Sequence, residues 1–192
     1  MRSLTYYIAV SLDGYIAGPD GQFDAFLAEG DHMAGIWERY RGTAPTQLAE
    51  AVGLPLDGGP FGTVLMGWNT YAVGMPDQHR PSPYQHLRQI VFTRTHEGPP
   101  GSEDVTFTGS DPVAVVRALK EEDGKDIWLC GGGTLAAVLA EEIDGLALKI
   151  NPVQFGAGIP LFGPRAYAPA AWRRVDTTAF DSGVVLAEYR RP

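Results

Sequence analysis

The stretch that most restricts what this chain can fold into runs from Val105 to Glu142, where the patterning alternates strand, helix, strand, helix. Val105–Thr108 is a short run of β-formers. Ser110-Asp111-Pro112 then supplies a cap and a proline at the first helical position, and Val113, Val116 and Leu119 mark one buried face through Glu122. Ile127, Trp128, Leu129 and Cys130 form an apolar run suited to a buried strand, and Gly131, Gly132 and Gly133 follow without a break. Thr134 can cap the helix that comes next, with Leu135, Val138 and Leu139 as its apolar face. Such alternation implies parallel strands with helices on the sheet faces. Glycines between a strand and a helix let a ligand approach the main chain, and the N–H groups there favour an anion. A tight turn that needs glycine for geometry alone fits the same residues, and both readings stand at this point.

Whole-chain features limit the function classes. With 192 residues the chain can bury one good core, so a single domain spanning 1–192 is expected. A formal charge of −8 and the lack of a Lys/Arg-rich run argue against a nucleic-acid surface. Any bound phosphate must then be met by backbone or by a few local cations. One cysteine excludes an internal disulfide, and no cysteine/histidine spacing marks a metal site. Cys130 itself suits packing in a strand. The sequence shows no signal-peptide pattern at its start and no apolar run long enough to span a bilayer, so a cytoplasmic location without membrane contact is the default expectation.

Taken in order, Leu4–Leu12 reads as a first strand buried on both faces. Asp13-Gly14 turns it, Tyr15-Ile16-Ala17 extends again, and Gly18-Pro19-Asp20-Gly21 turns a second time, which makes a flap at a strand end. Phe23–Tyr40 suits a helix, with breaks allowed at Gly30 or Gly35, and Asp24 and Glu29 lie near its start. Gly42–Pro60 looks like an insertion, helical at Thr46–Val52. Thr63–Gly67 is a second buried strand, after which Asn69 or Thr70 could cap a helix. A proline-rich loop with His79 and Arg80 follows, then a strand at Gln89–Thr93 ending in Arg94, whose guanidinium is well shaped for phosphate. Leu146–Val153 is a further strand. Trp172–Phe180, the turn Asp181-Ser182-Gly183 and Val184–Arg190 make an antiparallel C-terminal hairpin. The expected fold is α/β in three layers: a mixed, mostly parallel central sheet with helices on both faces.

Five segments carry a resemblance: SLDGYIAGPDG (Ser11–Gly21), VLMGWNTY (Val64–Tyr71), IVFTRT (Ile90–Thr95), IWLCGGGTL (Ile127–Leu135) and INPVQFGAGIPLF (Ile150–Phe162). In this order the chain resembles the dihydrofolate-reductase-like superfamily, and within it the reductase domain of riboflavin biosynthesis, the RibD C-terminal domain family. The resemblance spans nearly the whole chain and implies an NADPH-dependent oxidoreductase acting on a small heterocyclic or sugar-derived substrate, similar to 5-amino-6-(5-phosphoribosylamino)uracil reductase. It implies that Ala9 and Ile16 lie by the nicotinamide, that Gly67, Trp68, Asn69 and Thr70 face the cofactor phosphates, that Thr93 and Arg94 sit near the adenosine 2′-phosphate, and that Gly131, Gly132, Gly133 and Thr134 wrap the pyrophosphate. A homodimer is implied as well.

The departures are equally specific. Trp68 stands where many dihydrofolate reductases carry a basic residue. The proline-tryptophan element and helix acid of folate-reducing members are replaced by Gln22–Phe26, with Glu29 only approximately placed for the acid. Asp13, Asp20, Asp24 and Glu29 are therefore the candidate proton donors or substrate anchors, with Tyr15 and Trp37 as candidate substrate-pocket walls; a carboxylate in an apolar cleft can have a raised pKa.

Other readings are a Rossmann site, since Gly131–Ala136 matches GxGxxA; a hydrolase, for which no GxSxG elbow exists; a dihydrofolate-type pterin reductase; and a non-catalytic nucleotide-binding protein that keeps the fold.

Overall fold

The computed structural model describes residues 1–73 and 81–192; most of the proline-rich loop, with His79 and Arg80, lies outside the described residues. Among these, eight strands form one sheet in the order β5-β4-β3-β6-β1-β7-β10-β9. They are β1 (Leu4–Val10), β3 (Phe61–Gly67), β4 (Arg88–Phe92), β5 (Val105–Thr108), β6 (Asp126–Gly131), β7 (Gly145–Ile150), β9 (Arg173–Ala179) and β10 (Val185–Arg190). The six from β5 to β7 in that order are mutually parallel, and β10 runs antiparallel to both β7 and β9. Two short strands, β2 (Tyr15–Ala17) and β8 (Ile159–Pro160), pair separately. The helices are α1 (Asp31–Arg39), α2 (Thr46–Val52), α3 (Trp68–Val73), α4 (Pro112–Glu121) and α5 (Gly133–Val138).

Alternation along the central strands sends successive side chains to opposite faces. Leu4, Tyr6, Leu65, Ile127 and Leu129 pack with Val116 and Leu119 of α4 and with Leu135 and Ala136 of α5. Tyr7, Val64, Met66 and Trp128 pack on the other side with Ile36 and Tyr40 near α1 and Tyr71 of α3. Both faces are covered, which is why these strands are apolar throughout rather than alternating with polar residues.

Local starts and stops differ from the sequence pattern where tertiary bonds compete. The helix expected from Phe23 begins only at Asp31. Gly30, at φ 136°, closes off a helical path, and Leu27 is drawn away by Asn151 Oδ1, which accepts its N–H at 3.1 Å. Gly35 does not break α1. Thr134 is not a cap: α5 starts at Gly133 with Gly132 in the cap position and no side-chain cap bond. Val138 is half exposed, and the buried side of that turn is Leu135, Ala136, Leu139 and Ala140. No cap at Asn69 or Thr70 is needed, because α3 leaves β3 directly at Trp68. Strand β7 stops at Ile150, where Asn151 N donates to Val10 O at 2.8 Å and Pro152 follows. The cap at Asp111 does form, accepting Val113 N at 3.2 Å.

Candidate functional site

Parallel pairing places the C-terminal ends of β4, β3, β6 and β1 side by side, and each is followed by the backbone turn that its sequence encodes. At the centre is the glycine run. Gly131 has φ 139°, a conformation that side-chain-bearing residues rarely adopt, and the Gly131–Gly132 peptide is cis. A Cβ placed on Gly132 would stand 3.3 Å from Thr70 Oγ1 and 4.0 Å from Ile16 Cδ1, and one on Gly131 would stand 3.5 Å from Thr70 Oγ1. One on Gly67 would lie 3.8 Å from Gly131 O and Gly132 N. Gly67, Thr70, Gly131, Gly132 and Ile16, from three separate segments, therefore meet around one patch of bare backbone.

Gly133 belongs to a different group. A Cβ there would collide with the Pro160 carbonyl, and Gly163 N donates to Gly133 O at 2.8 Å. Its missing side chain is explained by packing of the 160–163 segment. Thr134 is exposed.

At the β4 end, Thr93 Oγ1 accepts the N–H of His96 at 3.1 Å and holds a tight turn that leaves Arg94 exposed. The His96 ring stacks flat on Trp68, 4.0 Å between centroids and 8° between planes. The half-buried Trp68 is thus covered on one face by an imidazole where many dihydrofolate reductases carry a basic residue. A lone histidine four positions past a strand gives no warning of this in the sequence. Asn69 is exposed beside it.

The flap is tied down rather than free. Asp13 Oδ1 accepts from Ser11 Oγ at 2.6 Å and Phe155 N at 3.1 Å, and Oδ2 accepts from Gly156 N at 2.7 Å. The Ser11 hydroxyl first, then those backbone N–H groups, hold its carboxyl down at about 2. Asp13 is therefore an ionised fastener and has no proton to donate near neutrality. Asp20 bonds Gln22 Nε2 at 3.0 Å in an exposed turn, and Asp24 and Glu29 are exposed as well. None of the three lies in an apolar cleft. Tyr15 sits half-buried on β2, paired with Pro160. Trp37 is not brought to the strand ends; it lies with Ala44, Ala49 and Leu54–Leu56 beside the α2 segment.

Two further groups take their roles from the tertiary structure alone. His32 is buried, its Nε2 donating to Leu27 O at 3.1 Å and its Nδ1 3.0 Å from Ser182 Oγ, so it joins the flap to the C-terminal hairpin. Lys149 lies at the end of β7 with Nζ 4.3 Å from the centroid of the buried Tyr7 ring. The signal for it was a single lysine inside Leu146–Ile150, an otherwise apolar strand. Next to it, burial pushes the Cys130 thiol up to about 11, with Lys149 and a hydrogen bond to Tyr84 pulling the other way. Among the described residues no group of three His, Cys, Asp or Glu could hold a metal ion. A cavity of about 290 Å³ lies at the opposite, N-terminal ends of the strands, between Arg39, Tyr40 and Arg190, where no proposed cofactor residue lies.

The family model for the RibD C-terminal domain matches residues 2–186, across both the glycine patch and the flap. The chain belongs to the RibD C-terminal domain family. Its relatives include two Bacillus subtilis (strain 168) proteins whose own roles are not described: YwjB, 36% identical over 172 residues covering 84% of this chain and 83% of that one, and YyaP, 27% identical over 203 residues covering 98% and 94%. In fold, this RibD C-terminal domain is similar to a putative riboflavin biosynthesis protein from Shewanella sp. PV-4, with TM-score 0.72, 22% identity, and 100% and 99% of the two chains covered. It is also similar to the Thermotoga maritima diaminohydroxyphosphoribosylaminopyrimidine deaminase/5-amino-6-(5-phosphoribosylamino)uracil reductase, with TM-score 0.64, 17% identity, and 100% of this chain and 57% of that one covered. These likenesses establish the dihydrofolate-reductase-like fold of the RibD C-terminal family, with its mixed sheet and antiparallel hairpin.

Proposed function

We propose that this RibD C-terminal protein is an NADPH-dependent reductase of a small heterocyclic or sugar-derived molecule, acting as a single domain, cytoplasmic and paired as a homodimer. The observation that carries this reading is the bare-backbone patch where Gly67, Gly131 and Gly132 meet Thr70 and Ile16. Side chains are absent there on two converging strand ends, and for Gly132 no packing clash with main chain accounts for the absence. Backbone left open to a ligand is the arrangement a dinucleotide needs.

The residues present fit the group. Gly67, Thr70, Gly131, Gly132 and Thr134 would hold the pyrophosphate, with Trp68 and Asn69 beside it; Ala9 and Ile16 would orient the nicotinamide; Thr93 and Arg94 would take the 2′-phosphate. When bound, NADPH supplies the hydride. The chain contributes alignment and exclusion of water, the latter through a flap that Asp13 fastens to Phe155 and Gly156. Fluorescence titration tests the reading. The protein binds NADPH, and Arg94→Ala weakens NADPH at least tenfold more than NADH; equal loss for both sinks the 2′-phosphate assignment, and no binding of either sinks the reductase reading.

One observation favours a second reading, a nucleotide-binding protein without turnover: Asp13 is committed to structure, and Asp20, Asp24 and Glu29 are exposed. NADPH binding without oxidation across pterin, pyrimidine and carbonyl acceptors would select it; turnover of dihydropterins alone would instead select a dihydrofolate-type enzyme.

A further inference from the structure

Strands β6, β1 and β7 are neighbours, and their C-terminal ends differ sharply in what they present. The end of β6 is the side-chain-free glycine turn, β1 offers the methyl of Ala9, and β7 offers the ammonium of Lys149. Ala9 and Lys149 are register partners on parallel strands, so both leave the face that also carries Tyr7. At a strand spacing of about 4.8 Å, Lys149 stands roughly 10 Å across the sheet from the glycine turn. Only a methyl group separates them.

A lysine near a sheet end ordinarily carries its head out to water. Lys149 instead turns inward, its Nζ over the ring of Tyr7, which is 3% exposed. The other inward-facing cations have anionic or carbonyl partners: Arg2 has Glu122, Lys120 has Asp144, and Arg191 has the Ile143 carbonyl. Lys149 has no carboxylate and no hydrogen-bond acceptor among the described residues. The Cys130 thiol beside it is held protonated by burial and does not balance the charge. The chain carries a formal charge of −8, which repels small anions at a distance. A half-buried ammonium held only by an aromatic face, with no anionic partner, still has hydrogen-bonding capacity that an oxyanion can take up.

We propose that Lys149 is a positioning residue that anchors an oxyanion of the acceptor, a carboxylate or phosphate group, opposite the glycine turn. The placement of the acceptor rests on the reductase reading; the anion site itself does not.

Reductive methylation with ¹³C-formaldehyde gives each lysine a resolved resonance while keeping its charge. The remaining lysines, Lys120 and Lys125, serve as internal controls, one paired with Asp144 and the other exposed. Lys149→Arg identifies the Lys149 signal by removing it. Inorganic phosphate and acetate are titrated separately, with and without saturating NADPH. The Lys149 resonance should move with a half-saturation at least tenfold below that of Lys125 in one or both titrations, and should do so with NADPH bound. The more effective anion identifies the group as phosphate or carboxylate. Lys149→Met should leave NADPH affinity within twofold of wild type. A response no stronger than that of Lys125 overturns the proposal. So does a response abolished by NADPH, or a tenfold loss of NADPH affinity in Lys149→Met, since either assigns the lysine to the cofactor phosphates. Failure of wild type to bind NADPH overturns the reductase reading instead, and the response to anions alone then decides for or against Lys149.

Discussion

Gly132 and Gly133 are adjacent in sequence, yet their side chains are absent for opposite reasons, and alanine substitution separates them. Gly132 has φ −98° and ψ −168°, an extended conformation open to any residue, and an added methyl would meet Thr70 Oγ1 at 3.3 Å. A shift of the Thr70 side chain by a few tenths of an ångström relieves that contact, so Gly132→Ala should cost the fold less than ~1 kcal/mol, the small end of overpacking. The methyl would then stand on the patch that the cofactor backbone is proposed to touch. A loss of at least tenfold in NADPH affinity is expected, ~1.4 kcal/mol. In Gly133→Ala the methyl would run into the Pro160 carbonyl, main chain held in place by the bond from Gly163 N to Gly133 O. Overpacking against backbone should cost ~3 kcal/mol. At ~2–4 °C per kcal/mol for a chain of this size, that lowers Tm by ~6–12 °C. Scanning fluorimetry reads the first quantity and NADPH fluorescence titration the second. If Gly132→Ala binds NADPH like wild type, or if Gly133→Ala keeps its Tm and loses NADPH, the division between a ligand-facing and a packing glycine is refuted.

The remaining expectations concern the flap, the hairpin and the core. The folded-state pKa of Asp13 is depressed, so the stability it contributes is present above the ordinary carboxylate range and is lost as pH falls toward about 2; the Tm deficit of Asp13→Ala relative to wild type, followed by calorimetry, should therefore shrink between pH 5 and pH 2. Limited proteolysis at pH 7 should cut that variant faster between residues 12 and 29. Asp31→Ala removes the acceptor of Asp181 N at 2.8 Å and Ser182 N at 3.0 Å, and should raise amide exchange at the hairpin turn without altering the glycine turn. Leu139→Ala, at a fully buried position against α4 and β6, should lower unfolding free energy by ~2–5 kcal/mol in urea titration.

Much of the architecture was legible because local chemistry and final environment agree. Asp111-Pro112 starts α4 in the chain as it does in any peptide, and the apolar runs at Thr63–Gly67 and Ile127–Cys130 are strands because both sheet faces are covered. The segment from Phe23 to Gly30 has apolar residues at near-helical spacing but is not a helix, because those residues answer to something else. Phe26 stacks on Phe155 at 5.0 Å, and Leu27 is held by Asn151 and His32, partners more than a hundred residues away or across the loop. Asp24 and Glu29, the carboxylates of that segment, are exposed. Nothing local shows that Asp13 receives backbone N–H bonds from residues 155 and 156.

What the sequence determined by itself is the order of strands and helices and the places where a strand ends in glycine, because periodicity and backbone freedom are properties of neighbouring residues. Only the tertiary structure decided which ends converge. Pairing β3 and β1 on either side of β6 brings Gly67, Thr70 and Ile16 to Gly131–Gly132, pairing β7 with β1 sets Lys149 beside Ala9, and packing of the 160–163 segment accounts for Gly133. Those outcomes depend on distances between segments far apart in the chain, which no local pattern of residues encodes.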